Sequence, residues 1–290
     1  MSFQYKGRTI RAIDVHTHVP RRQGLTVSAQ GQQMARYFAS TIQSGTVEDM
    51  AELYRKMDIL AVTFSVDSET VSDSVFDGND YVAEIQQAFP DVFIGWASVD
   101  PHKGRMALRE LERAVTKLGL RGLKLHPITQ AFFPDDRQFY PLWNKARELG
   151  IPVIFHTGHT GVGSGGPGGT GLKLKYARPI HLDDVAADFP DLTIIGAHPS
   201  WPWQDEMLSV CLHKSNVFID LSGWSPKYFS PALIQYSNTL LQNKVLFGSD
   251  YPVISPERWM KDFEAAAFRD DVRPKILLEN AVRVLKLEAA

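Results

Sequence analysis

The stretch Phe139-Tyr140-Pro141-Leu142-Trp143-Asn144-Lys145-Ala146-Arg147-Glu148-Leu149-Gly150-Ile151-Pro152-Val153-Ile154-Phe155-His156 contains one complete structural unit. Its first part, Phe139–Leu149, carries an apolar stripe at helical spacing and stops at Gly150, a residue suited to the position just past a helix end. Its second part, Pro152–His156, is a short unbroken apolar run, the pattern of a strand buried on both faces of a parallel sheet. The run ends on a histidine. Comparable apolar runs recur at Ile10–His16, Ala61–Val66, Val92–Val99, Gly122–His126, Leu192–His198, Val217–Leu221 and Val245–Asp250, making eight in all. Between them, Met106–Leu118 has a second helical stripe that stops at Gly119. Thr46 before Val47–Met57, with Asp49 three residues on, resembles a capping box. Phe89-Pro90-Asp91 and Phe189-Pro190-Asp191 each precede a strand, which predicts two similar helix-to-strand turns rather than a long-period repeat.

Eight βα units in 290 residues predict an α/β fold, specifically a (β/α)8 TIM barrel forming a single domain over residues 1–290, in preference to a doubly wound sheet. The long irregular stretches Val19–Gly45, Asp67–Asp80 and Thr157–Arg178 all follow the carboxyl ends of strands, where a barrel builds its site. With 44% hydrophobic and 22% charged residues the chain can bury a sizeable core. Its 31 Lys and Arg against 33 Asp and Glu, with no basic run, argue against nucleic acid as a partner. One cysteine, Cys211, can form neither an internal disulfide nor a thiolate metal site, so a reducing, cytoplasmic location is expected. Met1–Ile13 alternates polar and apolar residues, which predicts no signal peptide, and no apolar run approaches the roughly 18 residues of a membrane span.

The unusual polar residues gather at strand ends: His16 and His18 on the first, Lys124 and His126 on the fourth, His156 on the fifth, His198 on the sixth and Asp250 on the eighth. In a closed barrel these ends converge on one mouth. In Asp14-Val15-His16-Thr17-His18 the two rings share a strand face and can meet one ion, the alternative being an ordinary core or surface pair. Imidazole suits zinc or manganese. Asp250, closing the buried run Val245-Leu246-Phe247-Gly248-Ser249, would be costly there unless paired or metal-bound.

Taken in order, Asp14-Val15-His16-Thr17-His18, Lys124-Leu125-His126-Pro127, His156, Ala197-His198-Pro199 and Gly248-Ser249-Asp250-Tyr251-Pro252 resemble the amidohydrolase superfamily. Within it they are similar to the amidohydrolase-related branch that contains aminocarboxymuconate semialdehyde decarboxylase and the resorcylate decarboxylases. The resemblance covers most of the chain. It implies one divalent ion per chain, zinc first and manganese second, held by His16, His18, His156 and Asp250, with His198 poised as an acid/base. His198 itself stays open between a proton shuttle, a second-metal ligand and a packed histidine. Lys124 is open between a carbamylated bridge of a binuclear site, a binder of substrate carboxylate together with His126, and a structural ion pair. Arg178 is a candidate carboxylate clamp, or a solvated or paired arginine.

The glycine-rich run Gly158–Gly171 lacks the Gly-Lys-Thr/Ser ending of a nucleotide loop and reads as a close backbone approach to a ligand, a hinge or a linker. Phe132, Phe133, Trp201, Trp203, Trp224 and Tyr228 follow strands and are candidates for the walls of a flat pocket, Trp201 foremost, or for packing. His102, His181, His213 and Cys211 read as structural. The first functional expectation is a metal-dependent hydrolase acting through an activated water, with Asp250 and His198 moving protons, on a small carboxylated, aromatic-derived substrate. Hydrolysis of an aryl β-ketoacyl thioester between carbons is one form of it. The alternative is a non-oxidative decarboxylase using the same site; a lactonase or a non-catalytic binding barrel come after. A homodimer or higher homo-oligomer is expected from the prevalence of symmetric assemblies.

Overall fold

In the computed structural model residues 2–22, 32–33, 36–37, 45–72 and 75–288 are described, so the predicted stretch Val19–Gly45 lies largely outside the described residues. Two short strands open the chain, β1 (Phe3–Tyr5) and β2 (Arg8–Ile10), paired antiparallel. Lys6 and Gly7 form their two-residue turn, both with positive φ (43° and 79°), the backbone handedness that matches the twist of a tight hairpin. The apolar run Ile10–His16 predicts a single first strand that includes Ile10. The hairpin instead stands before the barrel, with Tyr5 and Ile10 in one apolar cluster with Ala281, Val284 and Leu287 near the end of the chain.

The strands that follow are all parallel: β3 (Ala12–His18), β4 (Ile59–Phe64), β5 (Phe93–Gly95), β6 (Ala97–Ser98), β7 (Leu123–Leu125), β8 (Val153–His156), β9 (Ile194–Ala197), β10 (Val217–Asp220) and β11 (Val245–Leu246). The expected single strand Val92–Val99 is β5 plus β6, one stave interrupted at Trp96. Its first half pairs with β4 and its second half with β7, while Trp96 N donates to Thr63 O at 3.0 Å. Eight staves result. The ring closes between β3 and β11 through Val15 N to Phe247 O at 3.0 Å, His18 N to Tyr251 O at 2.8 Å and a bridge from Thr17 to Tyr251. The protein is a TIM barrel.

Period-two alternation sorts the strand residues into two layers. Ile13, Leu60, Val62, Ile94, Trp96, Ile154, Ile195 and Leu246 fill the barrel. Their neighbours Ala12, Ile59, Ala61, Phe93, Leu123, Val153, Phe155 and Ile194 pack outward under the helices. The same alternation turns Lys124, between outward Leu123 and Leu125, toward the interior, and likewise His156 after Phe155 and Asp220 after Ile219. A bulge between Asp14 and Thr17 shifts the register of β3 against β4 where the histidines begin.

The main helices are α1 (Val47–Lys56), α2 (Asn79–Ala88), α3 (Arg105–Thr116), α4 (Tyr140–Glu148), α5 (His181–Asp188), α6 (Gln204–His213), α7 (Pro231–Asn238), α8 (Pro256–Ala265) and α9 (Asn280–Val284). Thr46 and Asp49 form the expected reciprocal cap on α1. Phe89 and Phe189 end α2 and α5 with nearly the same backbone angles, and each accepts the amide of the residue three further on, so the two Phe-Pro-Asp turns are alike. None of the helices of the described residues is long and apolar enough to cross a membrane.

One glycine is indispensable for packing. A Cβ on Gly122 would lie 2.2–2.6 Å from the indole of fully buried Trp96. Gly122→Ala is therefore expected to destabilise the fold by about 3 kcal/mol, the upper range for overpacking a rigid core, read as a lowered denaturant midpoint at unchanged slope.

Candidate active site

Three of the strand-end candidates meet at the closing seam. Asp250 Oδ1 lies 3.1 Å from His18 Nε2 and 3.4 Å from His16 Nε2, one oxygen shared between two rings. Together they form a group whose donor atoms could hold a metal ion. Asp250 sits at φ 67°, a left-handed conformation that Asp tolerates better than most residues. Burial pushes its carboxyl up, but the hydrogen bond from His18 and the neighbouring His16 and His198 outweigh that and hold it well below the usual range.

Behind this group the partners fix the imidazole tautomers. His16 Nδ1 lies 3.0 Å from Asp220 Oδ2, and a carboxylate only accepts, so the proton is on Nδ1. Lys124 Nζ lies 3.1 Å from His16 Nε2, and an ammonium only donates, so Nε2 presents its lone pair. His198 Nδ1 donates to the carbonyl of Ser222 at 3.0 Å, which leaves its Nε2 to accept from His156 Nδ1 at 2.9 Å. His156 Nε2 is then a buried lone pair with no protein partner. An orphaned imidazole nitrogen in a sealed site fits a metal ligand, and His16 Nε2, whose lone pair faces Lys124 and Asp250, is a second nitrogen able to ligate. Burial, then repulsion from Lys124, lowers His16 to about 3, and burial drives His156 well below its ordinary value, so both rings are neutral and able to ligate.

A second donor group, His16, His198 and Asp220, is wholly buried, but its nitrogens already carry protons bonded to Asp220 and Ser222. It is a hydrogen-bond network behind the first group. Lys124 is 1% exposed, over the ring of Phe64 at 4.9 Å, and burial lowers its ammonium to about 8.

The remaining sequence candidates divide. His126 is buried, stacked on His156 at 3.9 Å between centroids, and its backbone amide is held by Gln130 Oε1 at 2.8 Å. Trp201 stands at the rim, 47% exposed, between His159 and Trp224. Arg178 is engaged away from the metal group: its Nε and Nη2 are paired with Glu206 of α6 at 2.9–3.3 Å in an exposed position. Arg178→Ala is accordingly expected to leave kcat/KM within about twofold of wild type in a steady-state assay. Phe132 is packed against Phe139 and Trp143 at 2% exposure rather than lining a pocket. In the glycine run the close approach is to the protein's own chain: a Cβ on Gly158 would lie 2.6–2.7 Å from the backbone of Ser200 and Trp201.

Four residues that the sequence reading left unassigned complete the arrangement. Asp220 accepts from His16 Nδ1 and, through Oδ1, from the amides of His198 and Ser222 at 3.2 and 2.9 Å. A lone carboxylate ending the apolar run Val217-Phe218-Ile219 was the available signal, the same one that marked Asp250. Asp14 accepts from four donors, among them Tyr54 Oη at 2.8 Å and Ser249 Oγ at 2.5 Å, and burial raises its carboxyl to about 7. Tyr54 carried no sequence signal of its own, and Ser249 only its place in Gly248-Ser249-Asp250.

The chain matches the amidohydrolase family model over residues 13–287. A curated relative, gamma-resorcylate decarboxylase from Polaromonas sp., is 24% identical over 267 residues, covering 78% of this chain and 80% of the relative. Among solved structures, an uncharacterised TIM-barrel protein from Bordetella bronchiseptica superposes with a TM-score of 0.79 at 28% identity, over 95% of this chain and 98% of its own. A dihydroxybenzoic acid decarboxylase from Polaromonas sp. JS666, with bound manganese and the inhibitor 2-nitroresorcinol, shares the fold with a TM-score of 0.67 at 19% identity, over 97% and 98% of the two chains.

Proposed function

The chain belongs to the amidohydrolase family, and on that premise we propose that it is a divalent-metal-dependent decarboxylase of a small aromatic carboxylic acid, a hydroxybenzoate in the first instance. The observation that carries the reading is the convergence of His16, His18 and Asp250 beside the sealed Lys124 ammonium. A cation site and a buried positive charge side by side suit an anionic substrate that offers two oxygens. Decarboxylation is favoured over the hydrolysis first expected because the Polaromonas relative and the manganese-bound neighbour are both named as decarboxylases. Manganese takes precedence over zinc for the same reason.

His16, His18, His156 and Asp250 would hold the ion, His156 through its unpartnered Nε2 lone pair and His16 through the Nε2 lone pair that accepts from Lys124 in its absence. When bound, the ion supplies charge neutralisation and polarisation at the substrate carboxylate and the oxygen next to it. Lys124 Nζ holds the same anion from the β7 side. Asp250, a carboxylate at rest, takes the phenolic proton of the substrate and delivers it to the ring carbon as carbon dioxide leaves, so that the product departs as its phenolate. His198 Nε2, the nitrogen of that ring not tied to the main chain, is the second proton-handling atom. The rim aromatics Trp201 and Trp224 offer flat surfaces at the entrance.

The test is a panel of hydroxylated benzoates given to the manganese-loaded protein, with carbon dioxide and the phenol product measured together. Equimolar release of both supports the reading. Release of a new carboxylic acid from thioester or β-keto acid substrates, with no carbon dioxide, would return the site to hydrolysis.

A further inference from the structure

We propose that Asp14 is a positioning residue that holds Asp250 against His16 and His18, so that a side chain with no place in the ligand set governs how well the set binds its ion. The inference deepens the decarboxylase reading and rests on it only for the identity of that ion. His18 and Asp250 are 232 positions apart in the chain and meet where β3 closes on β11. β11 contains only Val245 and Leu246, but backbone bonds carry the seam past it: Asp250 N donates to His16 O at 2.9 Å and His18 N donates to Tyr251 O at 2.8 Å. To those backbone bonds the carboxylate of Asp14 adds side-chain anchors on Ser249, the residue before Asp250.

Oδ1 of Asp14 accepts the amides of His16 and Ser249 at 3.2 and 2.9 Å, while Oδ2 accepts Ser249 Oγ at 2.5 Å and Tyr54 Oη at 2.8 Å. Ser249 Oγ in turn accepts the amide of Tyr251 at 3.0 Å. The residues on both sides of Asp250 are thus tied through one hydroxyl to Asp14, and a left-handed backbone is held between them. Tyr54 brings in helix α1, so the knot joins a helix and both strands of the seam. Asp14 is fully buried, and among the described residues no ion pair involves it. Its oxygens are therefore occupied by orienting donors rather than by a countercharge. Such outer partners of ligating groups commonly change metal affinity when altered.

The test is Asp14→Asn, which keeps the size but replaces one accepting oxygen with a donor facing two hydroxyls. Crystallography of the metal-free variant is expected to show Asp250 Oδ1 moved beyond hydrogen-bond distance of at least one of the two rings. Equilibrium dialysis against manganese is expected to show a dissociation constant raised by about tenfold or more. Leu111→Ala, a buried substitution on α3, serves as the control: it lowers thermal stability and leaves both readouts unchanged. Should Asp14→Asn fail to fold, Tyr54→Phe withdraws one of the four donors and is read in the same two ways. An Asp250 that keeps both contacts in the variant overturns the proposal. A wild-type chain that takes up no divalent ion overturns the metal reading instead, and the crystallographic distances still decide the role of Asp14.

Discussion

Asp250→Asn lowers turnover by about a thousandfold or more while the barrel stays folded. The side chain keeps its shape, and its amide oxygen can still accept from His18 Nε2, so the seam between β3 and β11 retains its backbone bonds. What is lost is the charge. A neutral amide can neither take the phenolic proton nor return one to carbon, and proton transfer of this kind contributes about a hundredfold to ten-thousandfold on its own. Weaker ion binding adds to that loss. The check is kcat under saturating manganese beside a thermal melt of the same preparation. An unmoved melting midpoint with wild-type kcat would remove Asp250 from the chemistry.

Lys124→Met separates stability from activity. The ammonium is sealed among Phe64, His16 and the barrel interior, with only a neutral imidazole within reach in the absence of substrate, and burial lowers it to about 8. An apolar side chain of similar length spares the cost of holding that charge out of water, so the melting temperature is expected to stay level or to rise. Catalysis moves the other way. Without the cation, the substrate anion loses a charge-assisted hydrogen bond in a low-dielectric site, and kcat/KM is expected to fall by about a hundredfold or more. A variant that is both less stable and fully active would mean that Lys124 serves as a structural ion pair, the reading its spacing alone had left open.

The fold was legible because a parallel barrel imposes a simple pattern: strands buried on both faces read as unbroken apolar runs, and helices between them stop at glycine. Val153-Ile154-Phe155-His156 shows why the candidate site was legible too, since a polar residue that ends such a run points to the mouth. The hairpin β1–β2 was missed although Lys6-Gly7 is a good two-residue turn, because three-residue strands carry too little periodicity to separate from the strand that follows. Trp96 could not be seen to interrupt its stave, as the break comes from which neighbour each half pairs with, a property of closure and not of local sequence. Arg178 was uncertain for a related reason. Whether an arginine at a loop exit faces a ligand or a glutamate 28 residues away depends on how α6 packs. Asp220 obeys the same strand-end rule as Asp250 and could have been read from it, whereas Tyr54, on a helix, reaches the seam only through tertiary structure.

The most direct measurement is the fate of solvent isotopes in one turnover of a carboxyl-labelled hydroxybenzoate by the manganese-loaded protein. The account predicts one labelled carbon dioxide per product, one solvent deuteron on the ring carbon that carried the carboxylate, and no oxygen from labelled water in the organic product. Labelled oxygen in a product that retains the carboxyl carbon would contradict it and restore a water-dependent hydrolysis to this site.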